Sequence, residues 1–168
     1  MREILFRAKW MHNKEWIEGY YCKISETTYA FAEDYDKYPV PVHHYILQES
    51  MTDWGLPNRF RQYEIDPETL CQYTGLKDKN GKKIWENDIV SCEHEKFQES
   101  DDVEQHLFSD TIKYNRNYAV EFINTGSNYG CRLRNKSIHF NLTGNTIYNH
   151  NVEVIGNIFD SPELLKED

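Results

Sequence analysis

Apolar and polar residues alternate along most of the chain. Near the start, Ile4, Phe6, Ala8 and Trp10 recur at every second position. A period of two is typical of half-buried β-strands. The same pattern, with a proline-bounded extended segment at 39–47, predicts further strands in the segments 16–24, 61–65, 118–122, 129–133, 138–142 and 152–158.

Turn signals separate these strands. The strongest is Asn80-Gly81, because both residues tolerate positive φ, and it predicts a β-hairpin. Asp66-Pro67 predicts a single helical turn with Asp66 as its N-cap. Polar turns are predicted at 12–15, 125–128 and 143–145, and Ser161 is expected to cap a short helix that ends at Leu165.

Short strands joined by frequent turns predict a mainly β fold with antiparallel pairing. The helical turn at Asp66 separates an N-terminal β region, 1–70, from a C-terminal region, 71–168. The two regions can be separate or fused into one domain. At 168 residues and 14% aromatic, the chain can bury a core, so global disorder is excluded.

The beginning of the sequence and its cysteines predict a cytoplasmic protein with reduced thiols. MREILFRAKW lacks the apolar run of a secretory signal, and no segment is long and apolar enough to span a membrane. The four cysteines are widely spaced, which argues against a disulfide framework or zinc cluster. Cys22 and Cys131 alternate with apolar neighbours, so we interpret them as small core residues.

Acidic residues are concentrated in one stretch of this chain, whose net charge is −9. Seven acids and one lysine lie between Glu93 and Asp110. This composition predicts a solvated acidic loop over 93–117. An alternative is an acidic surface that imitates nucleic-acid phosphates toward a basic partner.

The sequence predicts no catalytic residue, no metal site and no cofactor. Adjacent His43 and His44 would point to opposite faces of a strand and could not share a metal ion. His94-Glu95 begins like a zinc-protease helix but lacks the second histidine. A small hydrolase or metal enzyme is therefore the least supported class.

A lysine-rich hairpin is the candidate interaction surface. Lysines with neighbouring aromatic rings can hold a nucleic-acid strand by charge and stacking, although the net charge of −9 opposes such binding. A second basic group comprises Arg132, Arg134 and Lys136. The candidate surface itself comprises Lys77, Lys79, Lys82, Lys83, Tyr73 and Trp85.

The segment CQYTGLKDKNGKKIWENDIV (71–90) resembles the YopX family of phage and prophage proteins. REILFRAKW (2–10), WIEGYYCKI (16–24) and VEVIGNIFDSPELL (152–165) extend the resemblance to both ends of the chain. One departure is Asn87, where family members usually carry glycine. Asparagine tolerates positive φ, so the turn can survive. The turn residues of the motif, interpreted as structural, are Gly75, Asn80, Gly81, Asn87 and Asp88.

The resemblance implies a C-terminal half like an SH3-type small barrel and residence in an infected or lysogenic bacterial cytoplasm. It supplies no catalytic residues. The leading hypothesis is a non-enzymatic phage accessory protein that acts through protein contacts or self-association. Nucleic-acid binding by the barrel is the alternative.

Overall fold

The computed structural model describes residues 3–26, 40–97, 111–124, 129–136 and 138–166. The strands pair antiparallel in two sheets, which confirms the predicted mainly β fold. The chain forms two compact units, Met1–Tyr73 and Thr74–Asp168. None of the described helices is long and apolar enough to cross a membrane.

The first unit is built from strands that pair in sequence order. These are β1 (Phe6–Lys9), β2 (Trp16–Ser25), β3 (Val42–Ser50), β4 (Arg59–Glu64) and the start of β5 (Cys71–Lys77). Their order in the sheet is β4-β3-β2-β1-β5. A 3₁₀ turn, Pro67–Thr69, precedes β5, and the Asp66 carboxylate accepts the Glu68 N–H as predicted.

The first sheet closes on itself at one end. Trp10, directly after β1, forms an antiparallel bridge with Ile65, directly after β4. The Met11 N–H donates to the Glu64 carbonyl at 2.9 Å. Because β1 and β4 lie at opposite sides of the four-strand segment β4-β3-β2-β1, this bridge closes a small barrel-like layer. Its core contains Ala8 and Ile46 together with Ile65.

The second unit is a five-stranded antiparallel sheet preceded by a hairpin. The hairpin joins the end of β5 to β6 (Lys83–Trp85), and the sheet order is β10-β9-β8-β7-β11. The strands are β7 (Asp88–Phe97), β8 (Thr111–Asn124), β9 (Tyr129–Asn135), β10 (Ile138–Asn141) and β11 (Glu153–Asn157). The SH3-like closure of this half stays a prediction.

One face of the second sheet carries the core of its unit. Tyr118 and Val120 of β8 are fully buried there with Leu133 of β9 and Cys92 of β7. Burial raises the pKa of the Cys92 thiol to about 12, so it is an inert core residue. Cys131 packs partly buried against this core. Cys22 is half-buried in β2, and its assignment as a core residue stays a prediction.

The predicted acidic loop over 93–117 was wrong at both ends. Residues 93–97 belong to β7 and 111–117 to β8, and these two strands pair as far as Phe97 and Thr111. Cross-strand charge pairing accommodates the acids, since the Lys113 ammonium lies 2.6 Å from Glu93 and 3.7 Å from Glu95. The remaining part of the stretch, 98–110, lies outside the described residues.

Two predictions about local structure also need correction. The segment 143–145 is no simple turn, because Thr143 is the N-cap of helix α1 (Gly144–Asn149) and its hydroxyl accepts the Thr146 N–H at 3.1 Å. Ser161 precedes a 3₁₀ turn, Pro162–Leu165, without a side-chain cap bond. Pro162, at the first position of this turn, restricts its φ angle to a helical value without help from a cap. The turn predicted at 125–128 lies outside the described residues.

Candidate functional site

The lysine-rich hairpin forms as predicted, with a different turn geometry. Of Asn80 and Gly81, only Gly81 has positive φ, +83°. The Gly81 N–H donates to the Asp78 carbonyl, and the Asp78 N–H donates to the Lys82 carbonyl. This is a three-residue loop with glycine in the left-handed region, rather than the two-residue turn that Asn-Gly pairs favour.

The two aromatic residues of the predicted interaction surface are buried. Tyr73 is 8% exposed and Trp85 is 2% exposed, so neither offers a ring face to a base. Lys83 is half-buried, and its ammonium lies 5.5 Å from the Trp85 ring centroid. Tyr73 and Trp85 must therefore be removed from the candidate surface, which reduces to lysines.

The exposed lysines differ in their surroundings. The Lys79 ammonium forms a 2.6 Å ion pair with Glu153, and the Lys82 ammonium is 3.4 Å from the Val154 carbonyl. Lys77 is exposed at the end of β5. Two of the three exposed lysines thus contact β11 of their own unit, which favours a structural role for the hairpin.

Asp78 holds this hairpin, although the sequence analysis assigned it no role. Asp78 is 6% exposed. Oδ1 accepts hydrogen bonds from the backbone N–H groups of Asn80 (2.8 Å) and Lys82 (2.9 Å), and Oδ2 accepts the N–H of Val154 (3.0 Å). An aspartate next to Asn-Gly was the available signal, since aspartates often bind turn amides.

The remaining turn residues of the motif stabilise the fold through their backbone conformations and hydrogen bonds. Gly75 and Asn87 have positive φ, +84° and +65°, so asparagine does adopt the conformation that glycine favours. Asp88 is 1% exposed and accepts the Trp85 N–H at 2.8 Å. The Asn87 N–H donates to the Val120 carbonyl at 2.8 Å, which ties this turn to β8.

Two members of the second basic group, Arg134 and Lys136, line a hollow on the sheet face opposite the core. Arg132 and Arg134 of β9 both donate to the Glu121 carboxylate of β8, at 3.0 and 2.7 Å. Burial would raise the pKa of Glu121, but the two guanidinium groups outweigh it and hold the pKa below its usual value. Beside Arg134 lies a cavity of about 240 Å³, lined by Ala119, Glu121, Arg134, Asn135, Lys136 and Leu165.

His94 belongs to an aromatic cluster at the margin of the second core. Its Nε2 lies 2.9 Å from the Tyr118 hydroxyl, and its ring is 5.0 Å from that of His150 and 5.5 Å from that of Tyr114. Burial, helped by the charges of His150 and Arg116, lowers the pKa of His94. The folded protein therefore favours the neutral imidazole.

This pKa shift predicts a pH dependence of stability. At pH values below about 6.5, the ordinary histidine pKa, the unfolded chain binds a proton at His94 more readily than the folded chain does. The contribution of His94 to the free energy of unfolding is therefore present above that pH and lost as the pH falls toward the folded pKa. Urea titrations across this range should show a smaller pH slope in His94→Gln than in the wild type. His139→Gln, at an exposed histidine, is the matched control and should keep the wild-type slope. A wild-type slope equal to that of His94→Gln would contradict the prediction.

The two adjacent histidines of β3 have separate partners, as their opposite faces predict. His43 donates to Glu64 at 2.7 Å and Glu26 at 2.6 Å, and these bonds raise its pKa. His44 Nδ1 lies 2.7 Å from the Tyr21 hydroxyl. Within the described residues, no group of three or more histidine, cysteine, aspartate or glutamate side chains is placed to hold a metal ion.

The first unit exposes an apolar surface that the sequence analysis missed. We define this apolar surface as Met51, Trp54 and Leu56, in the loop between β3 and β4, with Phe60 of β4 and Tyr20 of β2. Their exposed fractions are 88%, 103%, 59%, 53% and 43%. The Tyr20 and Phe60 rings meet edge to face at 6.1 Å. Strand alternation gave no signal for it, because its most exposed members lie in a loop.

Comparisons with known proteins bear on the fold and the family. A search of curated proteins finds no match. Among solved structures, the chain is similar to protein EF1440 from Enterococcus faecalis, with 20% sequence identity and a TM-score of 0.52. That match covers 99% of this chain and 100% of the other, and it supports the fold alone. The family model described as YopX protein matches residues 5–166, and the chain therefore belongs to the YopX protein family.

Proposed function

We propose that this protein is a non-enzymatic β module that associates with a second copy of itself through the apolar surface of its first unit. The observation that carries the proposal is Trp54, whose side chain is fully exposed. The same loop also exposes Met51 and Leu56. Exposed tryptophan and other large apolar side chains are typical of protein interfaces, where tryptophan contributes much of the binding energy. The phage origin and cytoplasmic location implied by the family resemblance belong to the same proposal.

The loop that carries Trp54 is held by its own hydrogen bonds. The Thr52 hydroxyl donates to the Pro57 carbonyl at 2.9 Å, and the Leu56 N–H donates to the Asp53 carbonyl at 3.1 Å. Gly55, with φ of +83°, provides the left-handed residue of this turn. A held loop loses little conformational entropy on binding, so the exposed indole is available for an interface.

Side-chain packing, rather than strand addition, is the contact that this surface favours. β4 is the edge strand of the first sheet. The Ile65 N–H donates to the His44 carbonyl, so the backbone N–H and C=O groups of every second residue of β4, counted back from Ile65, point toward β3. The backbone groups of Phe60 and Gln62 point the other way. If these groups paired with β4 of a second copy, Arg61 would lie directly opposite Arg61 of that copy, and the two like charges would repel. The Glu64 carbonyl is also occupied, because it already accepts the Met11 N–H.

Light scattering after size-exclusion chromatography tests this proposal. We expect a mass near twice the 20.1 kDa of one chain. Truncation of a central interface tryptophan costs about 2 kcal/mol or more, so Trp54→Ser should weaken association by about 30-fold. Tyr148→Ser is the matched control, because Tyr148 is 84% exposed in the second unit. A monomer at every concentration, or equal association of Trp54→Ser and wild type, would overturn the proposal.

Nucleic-acid binding by the hairpin has less support. The burial of Tyr73 and Trp85 removes stacking, and Lys79 is already paired with Glu153. Single-stranded and double-stranded oligonucleotides at two salt concentrations can be added to the same chromatography. A salt-sensitive shift that Lys77→Gln weakens would assign binding to the hairpin instead.

A further inference from the structure

We propose that the hollow on the outer face of the second sheet binds a small phosphate monoester. The hollow, of about 240 Å³, lies beside Arg134 and Lys136. This site is independent of the proposed self-association, since all of its residues belong to the second unit.

The shape of the hollow follows from one small side chain and one apolar wall. Ala119 pairs in register with Arg134, and the methyl group of alanine leaves space where a larger side chain would fill it. On another side, Leu165 of the C-terminal 3₁₀ turn lines the cavity. The Asn117 amide donates to the Leu164 carbonyl at 2.8 Å, which holds that turn against β8.

Hydrogen bonds continue from this wall to the end of β9. The Asn135 amide nitrogen donates to the Asn117 carbonyl at 2.7 Å, and Asn135 is only 7% exposed. Asn135 and Lys136 both line the cavity. The walls therefore belong to packed strands and a bonded turn, and the hollow is a built feature of the unit.

The charge of the hollow is positive in an acidic chain. Arg134 and Lys136 carry two positive charges in its lining, and Glu121 carries one negative charge. Because the pKa of Glu121 is lowered, its carboxylate remains ionised and its charge is matched by its two arginines. A net positive charge remains in the lining, and the three terminal oxygens of a phosphate monoester offer more acceptors to Arg134 and Lys136 than the two oxygens of a carboxylate do.

Glu121 also orients the guanidinium of Arg134. The bond from Arg134 Nη1 to Glu121 Oε1 is 2.7 Å long, while the Arg134 side chain remains 55% exposed. The group is thereby fixed beside the cavity without being enclosed. A fixed guanidinium loses little entropy when it binds an oxyanion, and its planar donors match phosphate geometry. Leu165 and Ala119 would contact a short apolar ester group.

A nuclear magnetic resonance titration of the full chain tests the proposal, with inorganic phosphate, butyl phosphate and acetate at constant ionic strength. We expect saturable shifts at residues lining the hollow, tighter binding of butyl phosphate than of inorganic phosphate, and acetate weaker by about tenfold or more. Shifts that do not saturate, shifts confined to other residues, or equal affinities for acetate and phosphate would overturn it.

Three variants separate the hollow from general charge effects. Ala119→Leu fills the space without changing charge and should abolish saturable binding. Lys136→Gln should weaken phosphate binding by about tenfold, as expected for one charge-assisted contact. Lys23→Gln removes the same charge from an exposed residue of the first unit and should change the affinity by less than about twofold. Unchanged binding in folded Lys136→Gln or Ala119→Leu would overturn the proposal, and unfolding midpoints verify the fold.

Discussion

Replacing Asp78 by alanine is expected to lower the free energy of unfolding by about 3 kcal/mol. The carboxylate is nearly buried and accepts three backbone N–H groups, two in the hairpin loop and one, from Val154, in β11. Water can reach the exposed loop amides of Asn80 and Lys82 after the change. The Val154 N–H is at a buried residue, so its unmet hydrogen bond should account for the largest part of the loss.

Urea denaturation measures this loss, and amide exchange locates it. Exchange at Val154 should accelerate in Asp78→Ala, since the hairpin no longer covers that amide. Asp78→Asn keeps one acceptor oxygen and should lose less than the alanine variant does. Asp53→Ala is the matched control at an exposed aspartate and should change stability by less than about 0.5 kcal/mol. A similar small change in Asp78→Ala would contradict the proposed role.

The structural features that were predicted correctly depend on residues that are close to one another in the sequence. Alternation located the strands because a half-buried strand shows its two faces in period two. The Asp66 cap, the Asn80-Gly81 hairpin and the positive φ of Asn87 are likewise set by one or two residues. Each of these was predicted because its physical cause lies within a few positions of the chain.

Features that depend on distant partners were missed or misjudged. The acids near Glu93 suggested a loop, but a lysine on the next strand pairs with them. Trp85 was predicted to be available for stacking on a base, but the fold buries its ring. The hollow beside Arg134 needs an alanine, an asparagine and a C-terminal leucine brought together from three segments. A single sequence gives no register between strands, so none of these contacts could be read from it.

Gly19→Ala is expected to be among the most destabilising single-methyl changes in the first unit. Gly19 is the last residue of β2 that pairs with β1, opposite Phe6, and Tyr20 is the first that pairs with β3, opposite Leu47. β2 therefore changes partner at this glycine, as strands of small closed sheets do where they bend. An added Cβ would overlap the Leu47 carbonyl oxygen and lie 2.9 Å from Ile46 Cγ2.

The nearest obstacle to that Cβ is a backbone atom, which cannot rotate away as a side chain can. The β2–β3 pairing must shift, and we expect a loss of about 3 kcal/mol, at the upper end for overpacking. Gly144→Ala is the control, because a Cβ there meets nothing within 4 Å and alanine favours helix α1. Urea midpoints should fall for Gly19→Ala and stay equal or rise for Gly144→Ala. Equal midpoints for Gly19→Ala and the wild type would contradict this prediction. They would show that β2 and β3 can move apart at Gly19 with little loss of stability.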